Sequence, residues 1–489
     1  MNVKILEHAL HKENLLLLSV SNNIAITSIT YDSRKVAPGC LFICKGAAFK
    51  EEYLMSAIEN GAVAYLSQTS YDVCIPGLIV SDIRKAMAIV TACFYNNPAD
   101  SLDILGVTGT KGKTTVAFLT RAMLRAGNQN YGMLSSVLTD TGISNQPSHL
   151  TTPESPDLQY MFGEMRDCGL PGAVMEVSSQ GLAYDRVYGI KYAASAFLNI
   201  GQDHISPIEH KTFEEYFDAK KRIFALSDYV FINCDDEHAA EMLESAKACQ
   251  CKIRTFGFSA NADVRAYHLQ RVGNLTKFRV KCREFDRQFT LPMIGAFNVY
   301  NALASICLCL GRITPANMVK GMRQAVVPGR MEVLQRKGLT VIVDYAHNKL
   351  SLETLLSDLR KEYIGQRIVC LFGCPGGKAY LRRADMGEVA GRLANYTIIT
   401  ADDPDREDVG QICLEIAKHI DEANGCYEIV TDRVEAVKKA ILDAQEGDVI
   451  VLAGKGVELH QKVDGLYQDY PGDLPLAKKF MRMRKTPRN

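Results

Sequence analysis

Short apolar runs alternate with longer segments of helical period in the last third of the chain. The strand candidates are residues 339–343, 368–372, 396–400 and 449–453. Helical period is clearest at residues 409–421 and 433–443. Strands that alternate with helices predict a mainly parallel, doubly wound sheet, which binds ligands at the carboxyl ends of its strands.

The middle of the chain repeats this pattern and adds a glycine-rich string. Strand candidates are residues 102–105, 172–177, 194–198 and 229–232, and a helix is predicted at 116–125. The string Gly-Thr-Lys-Gly-Lys-Thr-Thr, residues 109–115, lies between the first of these strands and that helix. A strand, a glycine-rich turn and a helix N-terminus form a phosphate cradle, because backbone N–H groups and the helix dipole favour anions.

The phosphate cradle predicts a nucleotide site with magnesium beside it. The predicted ATP-binding residues of this loop are Gly109, Thr110, Lys111, Gly112, Lys113, Thr114 and Thr115. Lys113 would reach the terminal phosphates, and the Thr114 hydroxyl would ligate the ion. Glu176 and His204 each follow another apolar strand, so both are further candidates for magnesium ligands.

Length and turn signals predict three domains. A chain of 489 residues is too long for one ordinary core. Turn signals at residues 96–98 and 328–330 separate the patterns. We predict an α/β fold with an N-terminal domain at residues 1–100, a central P-loop nucleotide-binding parallel sheet at 101–328, and a C-terminal Rossmann-like doubly wound sheet at 329–489.

Charge and composition limit the partners. Lys+Arg and Asp+Glu are both 56, so neither nucleic acid nor an anionic membrane is expected as the main partner. No apolar run approaches the ~18 residues of a membrane span, so no membrane insertion is expected. The 15 cysteines are scattered without a Cys-x-x-Cys pair, which favours reduced thiols in the cytoplasm.

These strings resemble the Mur ligase family over nearly the whole chain. Members of that family activate a carboxylate with ATP and join it to an amine. Within the family, the chain is most similar to the type that adds the third residue of the peptidoglycan stem peptide. The resemblance implies that the N-terminal domain binds the UDP-linked substrate and that the C-terminal domain binds the amino acid. We expect a monomer.

The resemblance also assigns further residues. It implies that UDP-N-acetylmuramoyl-dipeptide contacts Ser33, Thr151, Thr152, Ser178 and Arg186. The nucleotide would also contact Asn298, Asn301, Arg330, Asp344 and His347. Lys220 matches a lysine that becomes N6-carboxylysine, a carbamate that holds magnesium. The catalytic set implied is Lys113, His204, Lys220 and Arg330.

The incoming amino acid is expected at the end of the strand predicted at 396–400. The amino-acid-binding candidates are Arg383, Asp402, Asp403, Asp405, Gly454 and Glu458. Family members that take meso-diaminopimelate usually have Asp-Asn-Pro-Arg here, and Asp405 replaces that arginine. An acidic side chain repels a carboxylate and attracts an ammonium, which favours L-lysine, with meso-diaminopimelate next. A one-residue shift of the loop would restore an arginine through Arg406.

The implied reaction forms an acyl phosphate on UDP-N-acetylmuramoyl-L-alanyl-D-glutamate, which the diamino acid then attacks. Three other readings stay open at this stage. One is a folylpolyglutamate-type ligase, and another is a nucleotide-binding switch without ligase chemistry. The third is a related ligase of a specialised peptide pathway, left open by departures from the family pattern at Gln180, Asp405 and Val457.

Overall fold

The computed structural model describes residues 1–19, 23–46, 49–148, 150–202, 209–378 and 380–484. They form two compact units. The first unit consists of Met1–Tyr267, Val280–Arg287 and Tyr300–Gly321, and the second of His268–Arg279, Gln288–Val299 and Met322–Asn489. Within the described ranges, none of the helices has both the length and the apolar character that a bilayer crossing requires.

The N-terminal part of the first unit is a five-stranded sheet with helices. Its elements are α1 (Val3–Lys12), β1 (Leu16–Leu18), β2 (Ser28–Thr30), β3 (Cys40–Ile43), α2 (Glu51–Glu59), β4 (Ala62–Ser67), β5 (Gly77–Val80) and α3 (Ile83–Phe94). The strand order is β1-β5-β4-β3-β2, parallel except for β1. Asp82 caps α3, because its carboxylate accepts from the Arg84 and Lys85 amides.

A second, larger sheet follows in the middle of the chain. Its strands are β6 (Asp103–Thr108), β7 (Gly132–Leu134), β8 (Leu138–Asp140), β9 (Asn145–Pro147), β10 (Gly172–Glu176), β11 (Ala194–Phe197), β12 (Tyr229–Asn233), β13 (Lys252–Gly257), β14 (Val264–Val272), β15 (Leu275–Lys281) and β16 (Asp286–Leu291). The helices of this part are α4 (Lys113–Ala126), α5 (Ser155–Asp167), α6 (Ser179–Ala183), α7 (Phe213–Lys221), α8 (Ala239–Ala248), α9 (Ala296–Cys309) and α10 (Pro315–Gln324).

The centre of this sheet is parallel and positions the candidate site. The order β13-β12-β11-β6-β10-β7 is parallel throughout, β8 and β9 add antiparallel strands at one end, and β14, β15 and β16 continue the sheet beyond β13. All residues of β10 and β11 are buried. Both faces of these strands are therefore covered, as expected of a parallel sheet.

The C-terminal part of the second unit is a six-stranded sheet. Its elements are β17 (Glu332–Arg336), β18 (Leu339–Asp344), α11 (Lys349–Glu362), β19 (Ile368–Phe372), α12 (Leu381–Leu393), β20 (Tyr396–Ile399), α13 (Val409–Glu422), β21 (Tyr427–Ile429), α14 (Arg433–Leu442), β22 (Val449–Ala453), β23 (His460–Val463), β24 (Leu466–Asp469) and α15 (Asp473–Met483). The order is β17-β18-β22-β19-β20-β21, with only β17 antiparallel, and β23 and β24 form a separate hairpin.

The predicted α/β architecture is confirmed. Strands β19 and β22 have the predicted bounds, and β10, β11, β12, β18 and β20 differ from theirs by one residue. Strand β6 extends further than predicted, to Thr108, and α4 starts at Lys113, inside the glycine-rich string. The three domain boundaries stay predictions, although the three main sheets draw their strands from residues 16–80, 103–291 and 332–453.

Candidate active site

The glycine-rich loop lies between β6 and α4, as its sequence predicts. Gly109 has φ +148° and Gly112 has φ +90°, which L side chains rarely adopt. A Cβ at Gly112 would also clash with Oδ1 of Asn301. Both glycines are therefore required by the backbone path, and the loop ends where the first amides of α4 are available to an anion.

Asn199, which follows β11, holds the loop from its other side. Its amide oxygen accepts from the Lys111 amide at 2.8 Å, and its amide nitrogen donates to the Lys111 carbonyl at 3.1 Å. The Asn199 carbonyl accepts from the Thr110 amide at 3.0 Å. The Thr110 hydroxyl lies 2.9 Å from the Tyr216 hydroxyl. The loop is therefore shaped by protein groups before any phosphate binds.

Two lysines meet at one carbonyl of the loop. The Gly109 oxygen accepts from the Lys113 ammonium at 2.8 Å and from the Lys220 ammonium at 2.9 Å. Lys113 also donates to the Thr110 carbonyl at 3.2 Å. Lys220 is 1% exposed and its ammonium lies 4.8 Å from the centre of the Tyr216 ring. Lys220 is therefore not a solvated lysine on the surface of its helix, since the side chain is buried at the phosphate loop.

Oxygen atoms suited to a divalent cation lie beside this loop. The Thr114 hydroxyl is 3.0 Å from the Ser136 hydroxyl, and Glu176 accepts from the Ser136 amide at 2.9 Å and from its hydroxyl at 3.3 Å. Hard oxygen donors of this kind fit Mg²⁺. The predicted ligand His204 lies outside the described residues. Buried Thr115 follows in the first turn of α4.

A cationic group of side chains surrounds Glu154. This carboxylate, just before α5, lies 2.7 Å from Lys45, 3.2 Å from Arg84 and 3.0 Å from Arg186. Burial would raise the pKa of Glu154, but the hydrogen bond from Lys45 and the two guanidinium groups hold it below its usual value. Cations outnumber the carboxylate here, so the group favours an anionic ligand.

Some of the residues predicted to contact the UDP-linked substrate lie close to Glu154. The Thr152 hydroxyl donates to the Glu176 carbonyl at 3.0 Å and accepts from the Ser178 amide at 2.9 Å. Arg186 donates to the Thr152 carbonyl at 3.0 Å, and half-buried Thr151 is the neighbouring residue. The Ser178 hydroxyl caps α6 through the Gly181 amide.

Ser33 is positioned by the loop after β2. It opens a short 3₁₀ helix, Ser33–Lys35, capped by Asp32. Two residues earlier, Tyr31 donates to Asp157 at 2.6 Å, and the Lys45 ammonium lies 4.3 Å from the centre of its ring. Tyr31 and Lys45 thus connect the loop that carries Ser33 to the surroundings of Glu154.

Asn298 and Asn301 lie in the first two turns of α9. The Asn298 amide nitrogen donates to the Ile294 carbonyl at 2.8 Å, within the second unit. Asn301 belongs to the first unit, where its Oδ1 lies against Gly112. Both side chains are buried. Contact of the nucleotide with these two residues stays a prediction.

In the second unit, the three remaining nucleotide candidates surround Tyr345. The Arg330 guanidinium lies 4.5 Å from the centre of the Tyr345 ring. Asp344, at the end of β18, accepts from the Met331 and Ala346 amides, both at 2.8 Å. Nδ1 of His347 lies 2.7 Å from the Tyr345 carbonyl oxygen. The predicted residues Arg330, Asp344 and His347 are therefore neighbours in space.

Carboxylates cluster around Lys455 at the carboxyl ends of β20 and β22. The Lys455 ammonium lies 3.3 Å from Asp402, 2.5 Å from Asp403 and 3.0 Å from Glu458. Burial would lower the pKa of Lys455, but the three carboxylates raise it above its usual value. Burial raises the pKa of Asp402. Gly454, with φ +105°, precedes Lys455 and lets the chain turn at this point.

Two other amino-acid-binding candidates, Asp405 and Arg383, form ion pairs with neighbouring side chains. Asp405 lies 2.8 Å from the Lys462 ammonium, whose hydrogen bond keeps the pKa of Asp405 low. Arg383 lies 2.6 Å from Glu407 and 2.7 Å from Glu415. Asp405 is therefore not an isolated negative charge, which weakens the electrostatic argument that rests on this residue alone.

Several residues of the site were not singled out from the sequence. They are Lys45, Arg84, Ser136, Asn199, Tyr216, Lys455 and Lys462. Lys455 lies between the predicted residues Gly454 and Glu458, so the sequence carries a signal for it. The others are single polar residues on different elements, and only the packing of those elements brings them to the site.

The phosphate loop on a parallel sheet defines a nucleotide-binding α/β protein. The family model of the Mur ligase middle domain matches residues 107–309. The family model of the Mur ligase glutamate ligase domain matches residues 329–456. The chain belongs to the Mur ligase family, and it is an ATP-dependent acid–amino-acid ligase.

Individual relatives and a solved structure are similar to this chain over most of its length. The UDP-N-acetylmuramoyl-L-alanyl-D-glutamate–L-lysine ligase of Streptococcus agalactiae serotype V is 40% identical over 471 residues, 94% of each chain. The enzyme of the same name from Enterococcus faecalis is 39% identical, over 94% of this chain and 92% of its own. A solved structure of a UDP-N-acetylmuramoyl-L-alanyl-D-glutamate–2,6-diaminopimelate ligase has a TM-score of 0.66 at 28% identity, covering 95% of this chain and 97% of its own.

Proposed function

We propose that this ligase joins L-lysine to UDP-N-acetylmuramoyl-L-alanyl-D-glutamate in peptidoglycan precursor synthesis, with ATP as the source of activation. Relatives that carry the lysine-adding name align over 94% of the chain. The solved diaminopimelate ligase is less similar in sequence, at 28% identity. The choice between the two amino acids therefore depends on the acceptor site itself.

The observation that carries the proposal is the excess of carboxylates at the end of β20 and β22. Asp402, Asp403 and Glu458 share the single ammonium of Lys455. An added ammonium is attracted by such a cluster, whereas the distal carboxylate of diaminopimelate is repelled. Asp405 contributes less than its sequence position suggests, because Lys462 neutralises it.

The residues around the phosphate loop are proposed to activate the glutamate carboxylate. Lys113 would leave the Gly109 and Thr110 carbonyls to contact the terminal phosphates, and Arg330, Asp344 and His347 would add nucleotide contacts. Thr114, Ser136 and Glu176 would hold magnesium, which supplies charge neutralisation during phosphoryl transfer. His204 stays a candidate ligand.

Lys220 is proposed to be N6-carboxylysine in the active enzyme. Its amine is buried beside the loop, 2.9 Å from the Gly109 oxygen. A carbamate there would place a negative charge and two oxygen atoms where a second magnesium ion can be held. The proposal is supported by the position of the amine and by the resemblance at this residue.

The cationic group around Glu154 is proposed to hold the anionic substrate. Lys45, Arg84 and Arg186 offer more positive charge than Glu154 neutralises. Guanidinium groups suit carboxylates and diphosphates, because they donate two parallel hydrogen bonds. Ser33, Thr151, Thr152 and Ser178 complete the set expected to contact this substrate.

The three domain boundaries, a monomeric state and a cytoplasmic location stay predictions.

The test is phosphate release from ATP with UDP-N-acetylmuramoyl-L-alanyl-D-glutamate, comparing L-lysine, L-ornithine and meso-diaminopimelate. We expect L-lysine to stimulate most, and Glu458→Gln to raise KM for lysine at least about tenfold. The matched control is Glu422→Gln, which removes a carboxylate paired with Lys418 and His419 at the surface of α13.

Each alternative has its own signature in this assay. Stimulation by meso-diaminopimelate alone would keep the ligase chemistry and refute the charge argument. Stimulation with a folate acyl substrate in place of the muramoyl-dipeptide would indicate the folylpolyglutamate type. Phosphate release that ignores every amine would indicate a nucleotide switch.

A further inference from the structure

Arg433 is one of the largest fully buried side chains among the described residues, and its charge lies under the acceptor loops. It is the first residue of α14 and is 2% exposed. Its partner Asp473 is the first residue of α15 and is 0% exposed. The two form a bidentate pair, with Nε to Oδ1 at 3.0 Å and Nη2 to Oδ2 at 2.7 Å.

The remaining donors of Arg433 reach two different loops. Nη1 donates to the Ala401 carbonyl at 3.2 Å, and Nη2 donates to the Ala453 carbonyl at 2.8 Å. Ala401 directly precedes Asp402, and Ala453 directly precedes Gly454 and Lys455. Strand β19 separates β20 from β22, so no ladder of hydrogen bonds joins these two strand ends. The Arg433 guanidinium therefore bridges them.

We infer that the Arg433–Asp473 pair positions the two halves of the acceptor site, with Arg433 as a positioning residue for the incoming amino acid. The inference rests on the proposed function, because it takes the carboxylates around Lys455 as the amino-acid site. Arginine is required because its planar fork presents five N–H donors in different directions. The Asp473 carboxylate orients that fork and is itself held by the Tyr470 hydroxyl at 2.6 Å.

The bridge fixes the separation of the two loops, because Arg433 contacts each loop through a backbone carbonyl. Loss of the bridge leaves Asp402 and Asp403 joined to the other loop through ion pairs of the long Lys455 side chain, so the backbone that carries them can shift relative to Lys455 and Glu458. Because the amino acid must contact both loops, its binding depends on their separation, whereas the phosphate loop lies in the other unit. The expected effect is therefore selective for one of the three substrates.

The experiment compares steady-state kinetics of four variants in the full chain. Arg433→Lys retains the charge but cannot span both carbonyls and the carboxylate. Asp473→Asn retains an acceptor but removes the charge that orients the guanidinium. The triple variant Arg433→Met, Asp473→Leu, Tyr470→Phe replaces the polar group by apolar side chains of similar volume, a change that buried ion pairs often tolerate.

The matched control is Asp448→Asn. Asp448 lies 3.2 Å from Arg367 in another ion pair, with the carboxylate buried and the guanidinium half-exposed, at the opposite, amino-terminal ends of β19 and β22. This variant reports what the loss of an ion pair does to the same sheet when the acceptor loops are untouched.

We expect the first three variants to raise KM for L-lysine at least about tenfold, with KM for ATP and for the UDP-linked substrate within about twofold of wild type. Asp448→Asn should lower the melting temperature without changing KM for lysine. An unchanged KM for lysine in the folded triple variant, or equal changes in all three KM values, would overturn the inference. Wild-type enzyme that ignores lysine would instead refute the proposed function.

Discussion

At the scale of single residues, the Gly109 carbonyl of the phosphate loop accepts hydrogen bonds from two lysines. Lys113 and Lys220 come from different helices, α4 and α7, and both donate to that oxygen. The two side chains differ in exposure to solvent. Lys220 is buried, whereas Lys113 is half-buried. The two lysines therefore have separable roles, which substitution can distinguish.

Replacement of Lys113 by alanine should abolish turnover while the protein stays folded. The Lys113 ammonium is expected to stabilise negative charge on the transferred phosphoryl group, so kcat should fall at least about 100-fold. Phosphate release measures the effect, and circular dichroism checks the fold. Lys191→Ala, which removes an exposed lysine paired with Asp228, should keep activity within about twofold. Near-normal turnover of Lys113→Ala would contradict the assigned role.

Replacement of Lys220 by alanine should also remove activity, and bicarbonate or a short organic acid should restore part of it. Rescue is expected because the small acid can supply the missing carboxylate near the proposed magnesium site. Lys221→Ala is the matched control, since the neighbouring lysine pairs with Asp218 and Glu241 instead. Full activity of Lys220→Ala without any additive would rule out the carbamate.

At the scale of elements, the turn from β6 into α4 depends on a glycine for two separate reasons. Gly112→Ala combines a left-handed φ of +90° with a clash against Asn301. We expect a loss of about 2 kcal/mol in unfolding free energy and weaker ADP binding. Gly169→Ala has φ +75° but nothing within 4 Å, so it measures the backbone strain alone. Equal losses in both variants would show that the contact with Asn301 is unimportant.

The central parallel strands of the two larger sheets are predictable from the sequence. Strands such as β19 and β22 are continuous apolar runs, which is what a strand buried on both faces requires. Strands β14 to β16 and the hairpin β23–β24 are among the strands that the sequence does not predict. They carry polar and exposed residues, as in the fully exposed β24, so hydrophobic period gives little signal there.

The site was predictable only where one string carries it. Residues 109–115 were identified together because a phosphate loop is local in sequence. The surroundings of Glu154 join Lys45, Arg84 and Arg186, up to 141 residues apart in numbering, and no local pattern links them. Likewise, the sequence does not show that Asp405 is neutralised by Lys462, because that lysine lies in an unpredicted hairpin.

At the scale of the whole molecule, the ion pairs of Glu154 should make stability depend on pH. The folded-state pKa of Glu154 lies below its ordinary value of 4.5, so its contribution is fully present above that pH and is lost as pH falls through the folded value. Glu154→Gln should cost about 3 kcal/mol at neutral pH. The difference from wild type should shrink as pH drops below 4.5.

Chemical denaturation across this pH range measures that difference. Glu244→Gln, at an exposed position of α8, is the control and should match wild type at every pH. A stability difference for Glu154→Gln that stays constant down to strongly acidic pH would contradict the ion-pair explanation.

The excess of carboxylates at the proposed amino-acid site also has a kinetic consequence. A site of one sign attracts an oppositely charged ligand over distances of about 10 Å at moderate ionic strength, and dissolved salt screens this attraction. The rate at which a dibasic amino acid finds Asp403 and Glu458 should therefore fall as ionic strength rises. Capture of the amino acid by this enzyme is then tied to the salt content of its surroundings as well as to the concentration of the amino acid.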